Sequence, residues 1–270
     1  MLAVERIRIL GVGVDLVGVE ELHRELLRLI QRAAGTGVRE PVLNVNVHCL
    51  NLAHRDPGLR RALEEAPLVF CDGAGVALGA RLLGLPRPGR ITYADWMWSL
   101  AGLAAREGLS LYLLGSRPGV AEEAAVRLHR RHPALRIAGA GHGHFDKTPG
   151  SEENEAALAR ISAAAPDILV VGFGMPLQER WLTENRRRTG PGVALAGGAA
   201  FDYVSGRLRR GPRLLTDNGL EWLARLLVEP ARLWRRYLLG NPLFLVRVLR
   251  ERVLRKRALR GREARRGEPG

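Results

Sequence analysis

The stretch DILVVGFGMPLQERW (167–181) decides the fold. Ile168 to Val171 run without a polar residue, the pattern of a strand buried on both faces rather than one with a wet side. Gly172 and Gly174 break the run, and from Gln178 to Arg188 the residues take up an amphipathic helical pattern. A buried strand, a glycine turn and a helix make half of a βαβ unit. The same cadence recurs on both sides: IRILGV (7–12), VLNVNV (42–47), LVF (68–70), SLYLLG (110–115), LRIAGA (135–140) and VALAGG (193–198) read as strands. Between them GVEELHRELLRLIQRAA (18–34), RPGVAEEAAVRLHRRH (117–132) and EENEAALARISAAA (152–165) read as helices. The prediction is an α/β fold, a mainly parallel Rossmann-like sheet core flanked by helices.

Beyond about residue 215 the strand pattern stops. Asp217 or Asn218 is placed to cap a helix running to about 228, Pro230 opens another and Pro242 a third. The chain therefore divides into an α/β core (1–212), a helical cationic appendage (213–260) and a tail (261–270) expected to be disordered.

Charge separates the same regions. The 270 residues carry a net charge of +14. From Arg225 onward there are 14 Lys and Arg against four acids, so the body is nearly balanced and the C-terminal part strongly basic. Such a segment suits nucleic acid, anionic lipid or plain solvation. Nucleic acid is disfavoured, because neither base-stacking aromatics nor a recognised reading motif accompanies the charge. In LWRRYLLGNPLFLVRVLRERVLRKR (233–257) Leu, Val, Phe, Trp and Tyr alternate with Arg, the composition of a helix lying on an anionic membrane. No run of 18 apolar residues spans a bilayer. The N-terminus is not built as a signal peptide, and the two cysteines, Cys49 and Cys71, suit a reducing compartment. The expected location is cytoplasmic, peripheral on the inner face of the membrane.

Glycines mark where a ligand would lie. Gly73 and Gly75, Gly115, Gly172 and Gly174, and Gly197 and Gly198 all follow apolar strands. In a parallel sheet, ligands occupy the crevice beyond the strands' carboxyl ends. GVGVDLVG (11–18) lacks the spacing of a dinucleotide fingerprint. Asp72, between LVFC and GAG, belongs at that crevice as a general base, a ribose ligand or only a helix N-cap. Asp95 and Asp202 are similar candidates. GHGHFD (141–146) offers His142, His144 and Asp146 as metal ligands, but two His at i and i+2 share a side only on a strand, and no further ligand is evident. Neither a metal nor any other cofactor is expected. The chain has no Asp-x-Asp pair, so a leaving diphosphate would be neutralised by Arg side chains and helix N-termini. Cys71 reads as a buried structural thiol.

In order, these residues resemble the WecG/TagA/CpsF glycosyltransferases. The resemblance is carried by Asn-x-Asn at 44–46, LVFCDGAGV (68–76), Pro-x-Pro-x-Arg-Ile-Thr (86–92), LYLLGSRPGVAEEAA (111–125), the GHGHF loop and DILVVGFGMPLQERW. It continues in GGAAFDYVSGRLRRGP (197–212) and GLEWLARLLVEPARLWRRYLLGNP (219–242). The resemblance implies metal-independent, anomer-inverting transfer of a hexose, of N-acetylmannosamine type, from a UDP-sugar. It implies a polyprenyl-diphosphate-linked sugar as acceptor, in cell-surface polysaccharide or teichoic-acid synthesis. By the same carry-over Asp72 is the catalytic base, and Arg90 and Gln178 line its pocket. Asn44, Asn46, Gly73, Gly75, Thr92, Asp95, Gly115, Gly172, Gly174, Gly198, Phe201 and Asp202 form the substrate site. Arg225, Arg232 and Arg235 reach the diphosphate. Two positions depart from the family: Asn44 stands for a threonine, and Tyr93 for the glycine of a Gly-x-Asp. Both bear on the donor sugar, with UDP-glucose or a UDP-uronic acid as the rival donors.

Overall fold

A computed structural model describes residues 4–266. Among the described residues eight strands are formed: β1 (Arg6–Ile9), β2 (Val12–Asp15), β3 (Glu40–Val45), β4 (Leu68–Cys71), β5 (Ser110–Gly115), β6 (Arg136–Gly141), β7 (Ile168–Gly172) and β8 (Val193–Ala196). The helices up to the end of the sheet are α1 (Val19–Thr36), α2 (Val47–Ala53), α3 (Pro57–Glu65), α4 (Ala74–Leu83), α5 (Tyr93–Arg106), α6 (Val120–Arg131), α7 (Glu152–Ala164), α8 (Leu177–Asn185) and α9 (Ala200–Val204). After them come α10 (Arg213–Asp217), α11 (Glu221–Val228), α12 (Pro230–Trp234), a π-helical turn (Arg235–Leu239) and α13 (Gly240–Arg266).

The predicted parallel sheet is present. Six strands pair in the order β4-β3-β8-β7-β5-β6, and every pairing is parallel. Their sequences are apolar throughout because both faces are covered. One face packs on Leu22, Leu26 and Leu29 of α1, Leu100 and Ala101 of α5 and Leu128 of α6. The other packs on Leu50 of α2, Leu59 and Leu63 of α3, Trp181 of α8, and Phe244 and Val248 of α13. The α1 leucines recur at helical spacing, and the helix ends where Gly37 turns left-handed at φ 69°.

Two expectations change. IRILGV is not a strand of the main sheet. Leu10 and Gly11 both have positive φ (51° and 80°), which makes a tight turn and folds the segment into an antiparallel β1–β2 hairpin. The C-terminal segment is also less separate than its charge suggested. Phe244, Val248, Glu251 and Arg255 share one stripe of α13. The first two enter the core, Glu251 Oε2 accepts from Leu10 N at 2.8 Å, and Arg255 Nη2 donates to the Arg8 carbonyl at 2.7 Å. The helix continues to Arg266, into the stretch expected to be a tail, and residues 267–270 lie outside the described region.

β5 feeds a connection toward β6 at one edge, while β7 feeds one toward β8 on the opposite side. Loops after neighbouring strands thus diverge and open a crevice. Gly115 and Gly172 lie at its base. A Cβ on Gly115 would stand 2.5 Å from the Gly172 carbonyl oxygen, so the two strand ends approach this closely only without a side chain.

Candidate active site

A cavity of about 1130 Å³ occupies this crevice. Its floor is the carboxyl ends of β3, β4, β7 and β8 and the loop after β5, and its roof is α11, α12 and the π-helical turn. The appendage therefore closes over the core rather than trailing from it.

Asp72 stands at the end of β4 and lines the cavity. It is not an N-cap: that position of α4 belongs to Gly73, at φ 95°, which leaves the Asp72 carboxylate free to face the ligand space. Asn44 Nδ2 donates to Asp72 Oδ2 at 3.2 Å. Burial pushes the Asp72 carboxyl up to about 6, and nearby Glu221 pushes the same way; the Asn46 amide, Arg236 and Arg225 oppose them. The result is an acid that ionises close to neutral pH, as a proton acceptor in catalysis needs.

Asn46 lines the cavity while its Oδ1 caps α2, accepting from Cys49 N at 3.0 Å. Gln178 is fully buried and braces the floor. Its Oε1 accepts from Gly174 N and Gly198 N, both at 3.1 Å, so one amide holds the loops after β7 and β8 together. Its Nε2 donates to Glu179 at 2.8 Å. Arg90 Nη1 donates to the Thr216 carbonyl at 3.0 Å and ties the core to the appendage. Asp202 faces the cavity and accepts from Ser116 Oγ at 2.8 Å. Thr92 and glycines 73, 75, 172, 174 and 198 line the same space.

Four expected residues are not on its wall. Gly115 packs on Gly172 beneath the floor. Phe201 is buried below, where it limits the space at Gly172. The Asp95 side chain is 68% exposed and pairs with Arg210. Arg235 is exposed, its guanidinium lying 5.2 Å from the Trp234 ring centre. The neighbouring Arg236 takes the inward place. The π-helical turn adds a residue to the helical cycle at this point, a register change no sequence pattern announces.

Arg225, Arg232 and Arg236 all line the cavity. Arg225 and Arg232 share Glu229, at 3.7 and 3.0 Å. Among the described residues Arg236 has no ion-pair partner, and the buried Nε atoms of Arg225 and Arg236 donate to none of them. Burial lowers the Arg236 pKa, and Arg225 and Arg232 lower it further. Three guanidiniums beside one shared acid form a site for a polyanion, and Arg matches phosphate with paired donors. The His142, His144 and Asp146 set does not converge. Asp146 spends its carboxylate on Thr148, at 2.9 and 2.6 Å, and His144 reaches the main cavity. Among the described residues no three His, Cys, Asp or Glu are grouped as metal ligands. Cys71 is buried, its thiol pushed up to about 12.

A carboxylate at a strand end thus shares one cavity with three arginines of the roof. The profile of the glycosyl transferase WecG/TagA/CpsF family matches residues 7–258. The chain belongs to that family. It is a glycosyl transferase, and the family match spans both the core and the appendage that roofs it. It is also similar to a protein of Bacillus spizizenii (strain ATCC 23059 / NRRL B-14472 / W23) named N-acetylglucosaminyldiphosphoundecaprenol N-acetyl-beta-D-mannosaminyltransferase. The two are 32% identical over 198 residues, 73% of this chain and 74% of the relative.

Proposed function

We propose that this glycosyl transferase moves a hexose of N-acetylmannosamine type from a UDP-sugar to a polyprenyl-diphosphate-linked sugar, with inversion and without a metal ion. The observation that carries the reading is the placement of Asp72, a carboxyl raised to about 6, in one cavity with Arg225, Arg232 and Arg236. The name of the Bacillus relative supports the acceptor and the sugar. In a single in-line displacement Asp72 takes the proton of the acceptor hydroxyl as that oxygen bonds the anomeric carbon and the bond to UDP breaks. Negative charge then gathers on the departing diphosphate, where the three arginines meet it.

The same reading places the enzyme on the cytoplasmic face of the membrane. Among the described residues no helix is long and apolar enough to cross a membrane. About half a turn from its core stripe, α13 presents Val246, Leu249 and Val253, which are 62%, 49% and 49% exposed, and Arg250, Lys256 and Arg257 flank them. An apolar stripe bordered by cations suits an anionic lipid surface, where the acceptor's lipid would be anchored.

The test is UDP release from a panel of UDP-sugars with a short-chain polyprenyl-diphosphate-GlcNAc acceptor, with and without EDTA. Turnover of UDP-N-acetylmannosamine, unaffected by EDTA, is expected. Turnover of only UDP-glucose or a UDP-uronic acid would replace the donor, and activity abolished by EDTA would contradict the metal-free step.

A further inference from the structure

Beside Asp72 two residues of the cavity wall each hold a buried polar atom that bonds none of the described residues. Asn44 is 2% exposed at the end of β3. Its Nδ2 is committed to Asp72, and its Oδ1 has no partner. Tyr93 is 6% exposed at the first residue of α5, and its hydroxyl also has no partner. Both residues line the main cavity. The Tyr93 ring is fixed by Phe70 and Trp96, whose ring centres lie 5.7 and 5.2 Å away. Burial, Asp72 and Glu179 all push its hydroxyl further above its ordinary range, so the proton stays and the group is a donor. An unpaired buried donor and an unpaired buried acceptor each cost stability that folding alone does not recover.

We propose that Asn44 and Tyr93 together determine sugar specificity by reading one substituent of the hexose beside Asp72, a substituent that both donates and accepts a hydrogen bond. A hydroxyl does this with one oxygen. An acylamino group does it with its N–H toward Asn44 Oδ1 and its carbonyl toward the Tyr93 hydroxyl. A hydrogen or an ether at that carbon leaves at least one protein atom buried and unpaired, and sites of this kind reject such analogues strongly. The two side chains project from a strand end and a helix start, rigid positions suited to discrimination. The inference rests on the UDP-hexose reading above and adds the chemistry of the recognised group.

The experiment compares wild type with Tyr93→Phe, which keeps the packed ring and removes only the hydroxyl. UDP-hexoses matched except for one substituent, present as hydroxyl, acetamido or hydrogen, are assayed with a fixed acceptor; matched acceptor analogues are then assayed with a fixed donor. In Tyr93→Phe, kcat/KM for the preferred sugar should fall roughly 10- to 100-fold. Discrimination against the hydrogen analogue should shrink by the same factor. UDP affinity by calorimetry should be unchanged, and Tm should equal or exceed that of wild type, since an unpaired hydroxyl is gone. The series showing the loss tells whether the donor or the acceptor hexose is read. In a cycle with Asn44→Ala, the double variant should lose little more than the worse single one. Wild-type kcat/KM and selectivity in Tyr93→Phe, or fully additive losses in the cycle, would overturn the proposal. A wild-type enzyme that turns over no UDP-hexose would overturn the donor reading as well, and is recognised before any variant is made.

Discussion

Glu179 is buried behind Gln178, with Oε1 bonded at 2.8 Å and Oε2 without a partner among the described residues. Burial pushes its carboxyl from 4.5 up to about 7, only partly opposed by the Gln178 amide. The folded protein therefore holds a proton that the unfolded chain releases, and stability falls as pH rises from about 4.5 through about 7. Glu179→Gln keeps the shape and removes the titration. Its Tm should vary less than that of wild type between pH 5 and pH 8 and exceed it at pH 8; parallel curves would remove Glu179 from the account. Arg236 carries the second prediction at this scale. Arg236→Ala should lower kcat by roughly 10²–10³-fold and, because Arg236 helps hold Asp72 ionised, move the acid limb of the rate profile to higher pH. Arg235→Ala should stay close to wild type, and equal losses in both would deny the inward role to Arg236. Much of the placement was legible residue by residue, since Asn44 and Gly172 lie at the carboxyl ends of strands β3 and β7, and Asp72, Gln178 and Asp202 come soon after strands that their own sequence announces. Arg236 was not singled out, and Tyr93 was noted only as a departure bearing on the donor sugar, not as a hydroxyl held at the site. One depends on a π-helical turn and the other on packing against Phe70 and Trp96, which are long-range facts.

At the scale of elements, the parallel sheet could be read because strands buried on both faces are continuous apolar runs. The hairpin could not, because IRILGV carries the same apolar residues and only the positive φ at Leu10 and Gly11 turns it back. The fate of α13 was hidden for a related reason. Its composition serves two opposite faces, and charge alone emphasised the outer one. Phe244 is 1% exposed and Val248 fully buried, so the helix is part of the core. Phe244→Ala should cost about 3–5 kcal/mol, measured by denaturant unfolding. A variant as stable as wild type would show that α13 docks without contributing to the fold. Deletion of residues 215–270 should accordingly expose core surface rather than leave an intact domain.

For the whole molecule, one face of the appendage roofs the cavity, and the proposed reading gives the other to the membrane. Leu249→Glu and Val253→Glu lie on the outer face and spare the core stripe. They should reduce co-sedimentation with anionic liposomes while leaving turnover of a short-chain soluble acceptor near wild type. Binding indifferent to these changes, to salt and to anionic lipid would move the membrane surface elsewhere. The central claim is that transfer depends on one carboxylate beneath a roof of arginines, and Asp72→Asn tests it most directly. With a UDP-sugar that the wild type turns over, kcat should fall about 10²–10⁴-fold, UDP affinity should be largely intact, and the acid limb near pH 6 should vanish. A variant that keeps the wild-type kcat and the same acid limb would contradict the account.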